Sequence, residues 1–96
     1  MLQEVKIRAR NADALKPVVR MAIEREIKLL GHSIQRTQER LAAFEKQFSM
    51  STDKFLRRFT KDDLGETLDF IDWFGETKIL AQLQEQKSAL ERAEIT

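Results

Sequence analysis

One stretch of the sequence holds all seven aromatic side chains, six Phe and one Trp: FEKQFSMSTDKFLRRFTKDDLGETLDFIDWF, residues 44–74. Its phenylalanines form three pairs spaced four residues apart, namely Phe44/Phe48, Phe55/Phe59 and Phe70/Phe74. Residues four apart share one face of an α-helix, so each pair indicates a helical segment with an aromatic face. Two mostly polar segments, residues 49–53 and 60–67, separate the pairs. The stretch therefore predicts three helical segments that can fold back on one another.

A coiled-coil pattern leads into this stretch from its N-terminal side. The apolar residues there alternate at gaps of four and three for nearly four heptads, with Thr37 as the one polar member of the two rows. They are Ile23, Ile27, Leu30, Ile34, Leu41, Phe44 and Phe48. We assign these residues to an oligomer seam, although the spacing also fits packing on a neighbour within the same chain.

The N-terminal segment has a different period. Residues 2–10, LQEVKIRAR, alternate apolar and basic side chains, which predicts a short strand. No second alternating segment follows in the chain. We therefore expect this strand to pair with its copy in an oligomer, to join the sheet of another protein, or to remain loose.

The predicted fold class is mainly α: a long antiparallel helical hairpin with a short middle helix and a short N-terminal strand. The expected single elongated domain comprises a strand or arm over 1–10, a long helix over 13–48, a short helix over 52–59 and a C-terminal helix over 68–93. Two helices alone leave much apolar surface exposed. The chain is therefore expected to dimerise through its helices, in a four-helix arrangement.

The composition argues against several classes of protein. The 96 residues are 42% hydrophobic and 34% charged, with no Cys and a single His, His32. We expect no disulfide, no metal site and no cofactor, and His32 has no partner with which to form a catalytic group. No apolar run approaches the length of a membrane span, and no signal peptide is evident. We expect a cytoplasmic protein that is not an enzyme.

Charge divides the chain into two halves. Residues 1–48 carry ten Lys and Arg against six Asp and Glu, whereas residues 49–96 carry seven against ten. The acidic half also holds five of the seven aromatic residues. Phe70, Trp73 and Phe74 are too crowded for all three rings to face one interior, and Trp is frequent at interface hot spots. We predict that a basic partner binds there. The candidate residues are Phe55, Phe59, Asp69, Phe70, Asp72, Trp73, Phe74 and Glu76.

The basic half contains a candidate DNA-binding feature. Lys6, Arg8 and Arg10 alternate on the polar face of the predicted strand. Two such strands paired about a two-fold axis could form a ribbon that enters the major groove of DNA. The same charges could instead guard a strand edge against aggregation, so both interpretations stay open.

The sequence between Phe44 and Leu83 resembles a group of small bacterial and archaeal proteins encoded beside toxin-like genes and regarded as antitoxins. The features that match are the Phe48-Ser49-Met50-Ser51 pause, Phe55, Phe59, Leu64-Gly65, Asp69-Phe70 and Trp73. The resemblance implies a non-catalytic protein that binds and neutralises a toxin, often a ribonuclease. A self-assembling structural or adaptor coiled coil and a ribbon-type DNA-binding regulator are the alternative functions.

Overall fold

The computed structural model describes residues 3–5 and 12–95 and confirms a mainly helical hairpin. Its helices are α1 (Ala12–Phe48), α2 (Thr52–Thr60) and α3 (Leu68–Glu91), so the last helix ends two residues before the predicted boundary. None of these helices, within the described ranges, has the length and apolar character needed to cross a membrane.

Two three-residue strands lie near the chain ends. Gln3–Val5 (β1) pairs in parallel with Ala93–Ile95 (β2), with Gln3 opposite Ala93. The longer strand predicted over residues 1–10 is not shown, and residues 6–11 lie outside the described part of the chain. Gln3–Val5 pairs with a segment of the same chain, so the expectation that this strand pairs with its copy, joins another protein or remains loose is wrong for these residues. The periodicity gave no sign of this, because three residues after a helix are too few to alternate visibly.

Helices α1 and α3 run antiparallel in one continuous register. Along α1 in the N-terminal direction, Gln47 bonds Asp69, Arg40 bonds Glu76, and Gly31 lies beside Lys87. Because α1 has 37 residues and α3 has 24, this register ends α3 opposite about residue 26 of α1. We call residues 12–25 of α1, which have no part of α3 opposite them, the overhang.

The hydrophobic core is concentrated at the other end of the hairpin, which we call the aromatic end. Phe55 and Trp73 are both 0% exposed, and their rings stack with centroids 4.0 Å apart and planes 2° from parallel. Phe44 of α1 stacks on the same indole at 5.5 Å. The indole N–H donates a 3.2 Å hydrogen bond to Thr52 Oγ1, so the one polar atom of the side chain is satisfied. Trp73 thus joins all three helices.

The reversal from α1 to α2 is fixed by polar groups. Glu45 Oε2 accepts a 2.7 Å hydrogen bond from the backbone N–H of Thr52, and the Ser51 hydroxyl accepts one from the N–H of Lys54. Both bonds satisfy donors of the first turn of α2, which have no partner inside the helix. Ser49 adopts a left-handed conformation with φ of 50° as α1 ends. The segment Ser49-Met50-Ser51 therefore ends α1 and caps α2.

Candidate protein-binding groove

The coiled-coil rows of α1 pack on α3 of the same chain, which is one of the two alternatives that their spacing left open. Leu30 and Leu41 are buried with Thr37, whose hydroxyl donates to the backbone carbonyl of Ser33. The remaining members of the rows are half-buried: Ile23, Ile27, Ile34, Phe44 and Phe48. Inside the hairpin, this face of α1 already has a partner along most of its length.

The predicted partner-binding residues divide into three groups in the structure. Phe55 and Trp73 are fully buried in the core. Three more rings, those of Phe59, Phe70 and Phe74, pack half-buried against it. The acidic members differ, because Asp69 and Asp72 are exposed whereas Glu76 is half-buried. The core rings are therefore structural, and the carboxylates and partly exposed rings remain as candidate contacts.

An open groove of about 680 Å³ runs between α1 and α3 beside the aromatic end. Its lining comes from two turns of each helix: Arg40, Ala43, Phe44 and Gln47 of α1 and Ile71, Asp72, Gly75, Glu76 and Ile79 of α3. Ile71 and Ile79 are 48% and 44% exposed, respectively. Two packed helices leave a groove along each side of their contact, and a third helix is needed to fill it. We call it the α1–α3 groove.

The centre of the α1–α3 groove has no side chain on one wall. Gly75 lies in the N-terminal third of α3, and a β-carbon built on it would meet nothing within 4 Å. Gly inside a helix costs about 1 kcal/mol relative to Ala. The missing β-carbon lets another backbone approach this wall closely. Gly75 was not among the residues predicted from the sequence, because one glycine within a helical pattern does not indicate which way it faces.

The charges of the groove are arranged around one ion pair. Arg40 Nη1 lies 3.4 Å from Glu76 Oε1, while Glu76 Oε2 is buried and has no hydrogen-bond partner among the described residues. A buried carboxylate oxygen without a partner costs free energy that a donor from outside could recover. The exposed Asp72 adds a second negative charge to the lining. The groove therefore presents apolar walls with a net negative charge.

A second exposed apolar face lies on α1. Leu15, Val18, Met21 and Leu29 are among the exposed large hydrophobic residues, and the first three belong to the overhang. Exposed residues recur every seven positions along this helix, at Leu15, Ala22, Leu29, Arg36 and Ala43. A period of seven keeps residues on one face, so this stripe runs from the overhang into the α1–α3 groove. The sequence did not reveal this stripe, because its residues are less apolar than the Ile, Leu and Phe residues of the coiled-coil rows.

Of the remaining candidates, Lys6, Arg8 and Arg10 lie outside the described residues. His32 is exposed on α1. No protein-family model, no curated protein and no solved structure matches this chain.

Proposed function

We propose that the protein is a non-catalytic, antitoxin-like binding protein that neutralises a toxin in the cytoplasm by direct protein–protein contact. The observation that carries this proposal is the α1–α3 groove. Its apolar lining is left unfilled by the described chain, and Gly75 opens its centre. Grooves between two helices commonly receive the apolar face of an amphipathic helix from another protein.

The chemistry of the groove specifies the partner. Its apolar walls, with Ile71 and Ile79 at their rim, suit small or branched apolar side chains spaced along a helix. Its negative charges, Asp72 and the unpartnered Oε2 of Glu76, favour a Lys or Arg near the same face. A toxin that acts on RNA carries basic surface to hold phosphates. An acidic groove that docks on that surface would both bind the toxin and cover its substrate site.

The resemblance between residues 44–83 and antitoxins adds to this argument. Its matched residues include Phe48, Phe55 and Trp73, which build the core below the groove. Because Trp73 lies on α3 between Asp72 and Gly75, this core fixes the positions of those two residues. The resemblance therefore concerns the scaffold that presents the groove, and the groove supplies the proposed contact.

Co-expression with the product of the neighbouring gene tests the proposal. We expect the two proteins to co-purify and the antitoxin to relieve growth arrest caused by that product. The discriminating variant is Gly75→Trp, whose side chain would enter the groove without meeting an atom of the chain near the β-carbon. We expect this variant to fold, to lose the complex and to leave growth arrested.

Gly75→Ala is the matched control, because it adds a single methyl group and favours the helix. It should retain the complex. Absence of any complex with the wild-type chain contradicts the toxin-neutralising function. A complex that forms equally well with Gly75→Trp contradicts the use of the groove.

A further inference from the structure

We propose that, in the free protein, a second copy of this chain fills the α1–α3 groove with its overhang, and that two chains do so reciprocally. The inference does not rest on the proposed function. It starts from the two exposed apolar features that the hairpin leaves, namely the groove at one end of α1 and the overhang at the other.

The two features lie on the same face of α1. The stripe contains Leu15, Ala22 and Leu29 toward the overhang, then Arg36, and Ala43 in the groove. Val18 and Arg40 flank this stripe within a turn. A copy of α1 that packs antiparallel along the stripe therefore meets the overhang and the groove together. One two-fold axis then creates both contacts, as an isologous interface requires.

The register of this pairing follows from the positions of the two features. The α1 side of the groove extends over 40–47, and the exposed apolar residues of the overhang extend over 15–21. Matching their centres places Val18 of one chain opposite Ala43 of the other. The two-fold axis then passes close to residues 30 and 31. Leu29, a further exposed apolar residue of α1, falls beside this axis and next to its own copy.

The same register brings α3 into contact with the second chain. From the Gln47–Asp69 and Arg40–Glu76 hydrogen bonds, Gly75 lies at the level of residues 41 and 42 of α1. The overhang of the copy therefore runs past the open side of Gly75, with Ile71 and Ile79 four residues to either side of this glycine. The small residues Ala43 and Gly75 let the helices approach closely there. One arrangement thus covers exposed apolar residues of both helices.

Charge favours the same occupant. The overhang carries Lys16, Arg20 and Arg25 against Asp13 and Glu24, a net charge of +1. The segment of α3 beside the groove, residues 68–79, carries Asp69, Asp72 and Glu76 against Lys78, a net charge of −2. Opposite net charges on two surfaces steer their association. A toxin bound in the groove would compete with this second copy.

Disulfide trapping tests the register directly, since the natural chain has no cysteine. The double variant Val18→Cys/Ala43→Cys places its two thiols about 37 Å apart along one helix, far beyond disulfide reach. Any disulfide between positions 18 and 43 must therefore join two chains. Under mild oxidation we expect most of the protein to become a covalent dimer. Mixing the two single variants should give the same dimer in about half that yield.

The matched control is Arg20→Cys/Ala42→Cys, which has nearly the same spacing on another side of α1, with both positions exposed. It should remain monomeric on non-reducing gels. Equal trapping of the control, or trapping of Val18→Cys with itself, overturns the proposed register.

Light scattering coupled to size exclusion tests the association itself. We expect a dimer for the wild-type chain at about 50 µM, a concentration that a dimer of micromolar affinity exceeds. Val18→Glu should be monomeric, whereas Gln38→Glu, which adds the same charge on another side of α1, should remain a dimer. A monomeric wild-type chain, or a dimer that survives Val18→Glu, overturns the inference.

Discussion

The two ends of helix α1 have similar periodicity and opposite surroundings. At the aromatic end, Phe44 stacks on the fully buried Trp73, and rings from α2 and α3 complete the core. In the overhang, Leu15, Val18 and Met21 are 39%, 59% and 62% exposed. The difference arises from the chain that follows each end. Residues 49–74 fold back on the aromatic end, whereas α3 stops before it reaches the overhang. The first end stabilises the fold, and the second leaves apolar side chains exposed.

The largest expected effect comes from breaking the aromatic end. Trp73→Ala removes a side chain that is 0% exposed and contacts all three helices. Loss of this buried ring should lower the free energy of unfolding by about 3–5 kcal/mol. Urea denaturation followed by circular dichroism at 222 nm measures the change.

The matched substitution in the overhang is Met21→Ala, which should lower the free energy of unfolding by less than about 0.5 kcal/mol. Both substitutions belong in the Val18→Glu background, so that association does not contribute. Similar losses at the two positions would contradict the distinction between the two ends.

An intermediate effect is expected at the reversal from α1 to α2. Glu45→Ala removes the carboxylate that accepts from the Thr52 N–H at 2.7 Å and faces the N-terminal end of the α2 dipole. The expected loss of stability is about 1–2 kcal/mol. Glu39→Ala, at an exposed position of the same helix, should change stability by less than about 0.5 kcal/mol. If the two variants are equally stable, Glu45 does not hold the reversal.

The smallest effect should be a gain of stability. Ser49 has a φ of 50°, a conformation that glycine adopts without the steric cost of a β-carbon. Ser49→Gly should therefore raise the thermal midpoint, with a gain of roughly 0.5–1 kcal/mol. Ser49→Ala keeps the β-carbon and should show no such gain. Destabilisation by Ser49→Gly would mean that the entropy of the unfolded chain outweighs the relief of strain.

Much of the fold could be predicted from local pattern. The Phe pairs and the coiled-coil rows mark helical segments, and Ser51 marks the start of α2 because its hydroxyl caps the first turn. The antiparallel hairpin was predicted because packing the two long helices together covers the apolar rows of both. These features depend on residues close in sequence, where spacing and capping determine structure.

Only part of the groove lining could be predicted from the sequence. Asp72 and Glu76 were predicted from charge and do line it, yet Trp73 and Phe55 were predicted with them and are buried. Aromatic residues alone do not distinguish core from interface, because both use the same apolar surface. Gly75 and the stripe of α1 become visible only once the register of α1 on α3 is known. The β1–β2 pairing likewise depends on chain ends that meet only in the folded hairpin.

Hydrogen exchange followed by mass spectrometry tests the contrast between the two ends most directly. Amide protection reports the free energy of local opening, so a helix without packed neighbours exchanges fast. We predict that peptides within residues 48–70, which lie between the two sides of the groove lining, are equally protected in the wild-type chain and in Val18→Glu. Peptides within residues 12–25 should be protected in the wild-type dimer and should exchange at least tenfold faster in the variant. Two results would contradict the account. One is fast exchange of the overhang in both proteins, and the other is equally strong protection of the overhang in both.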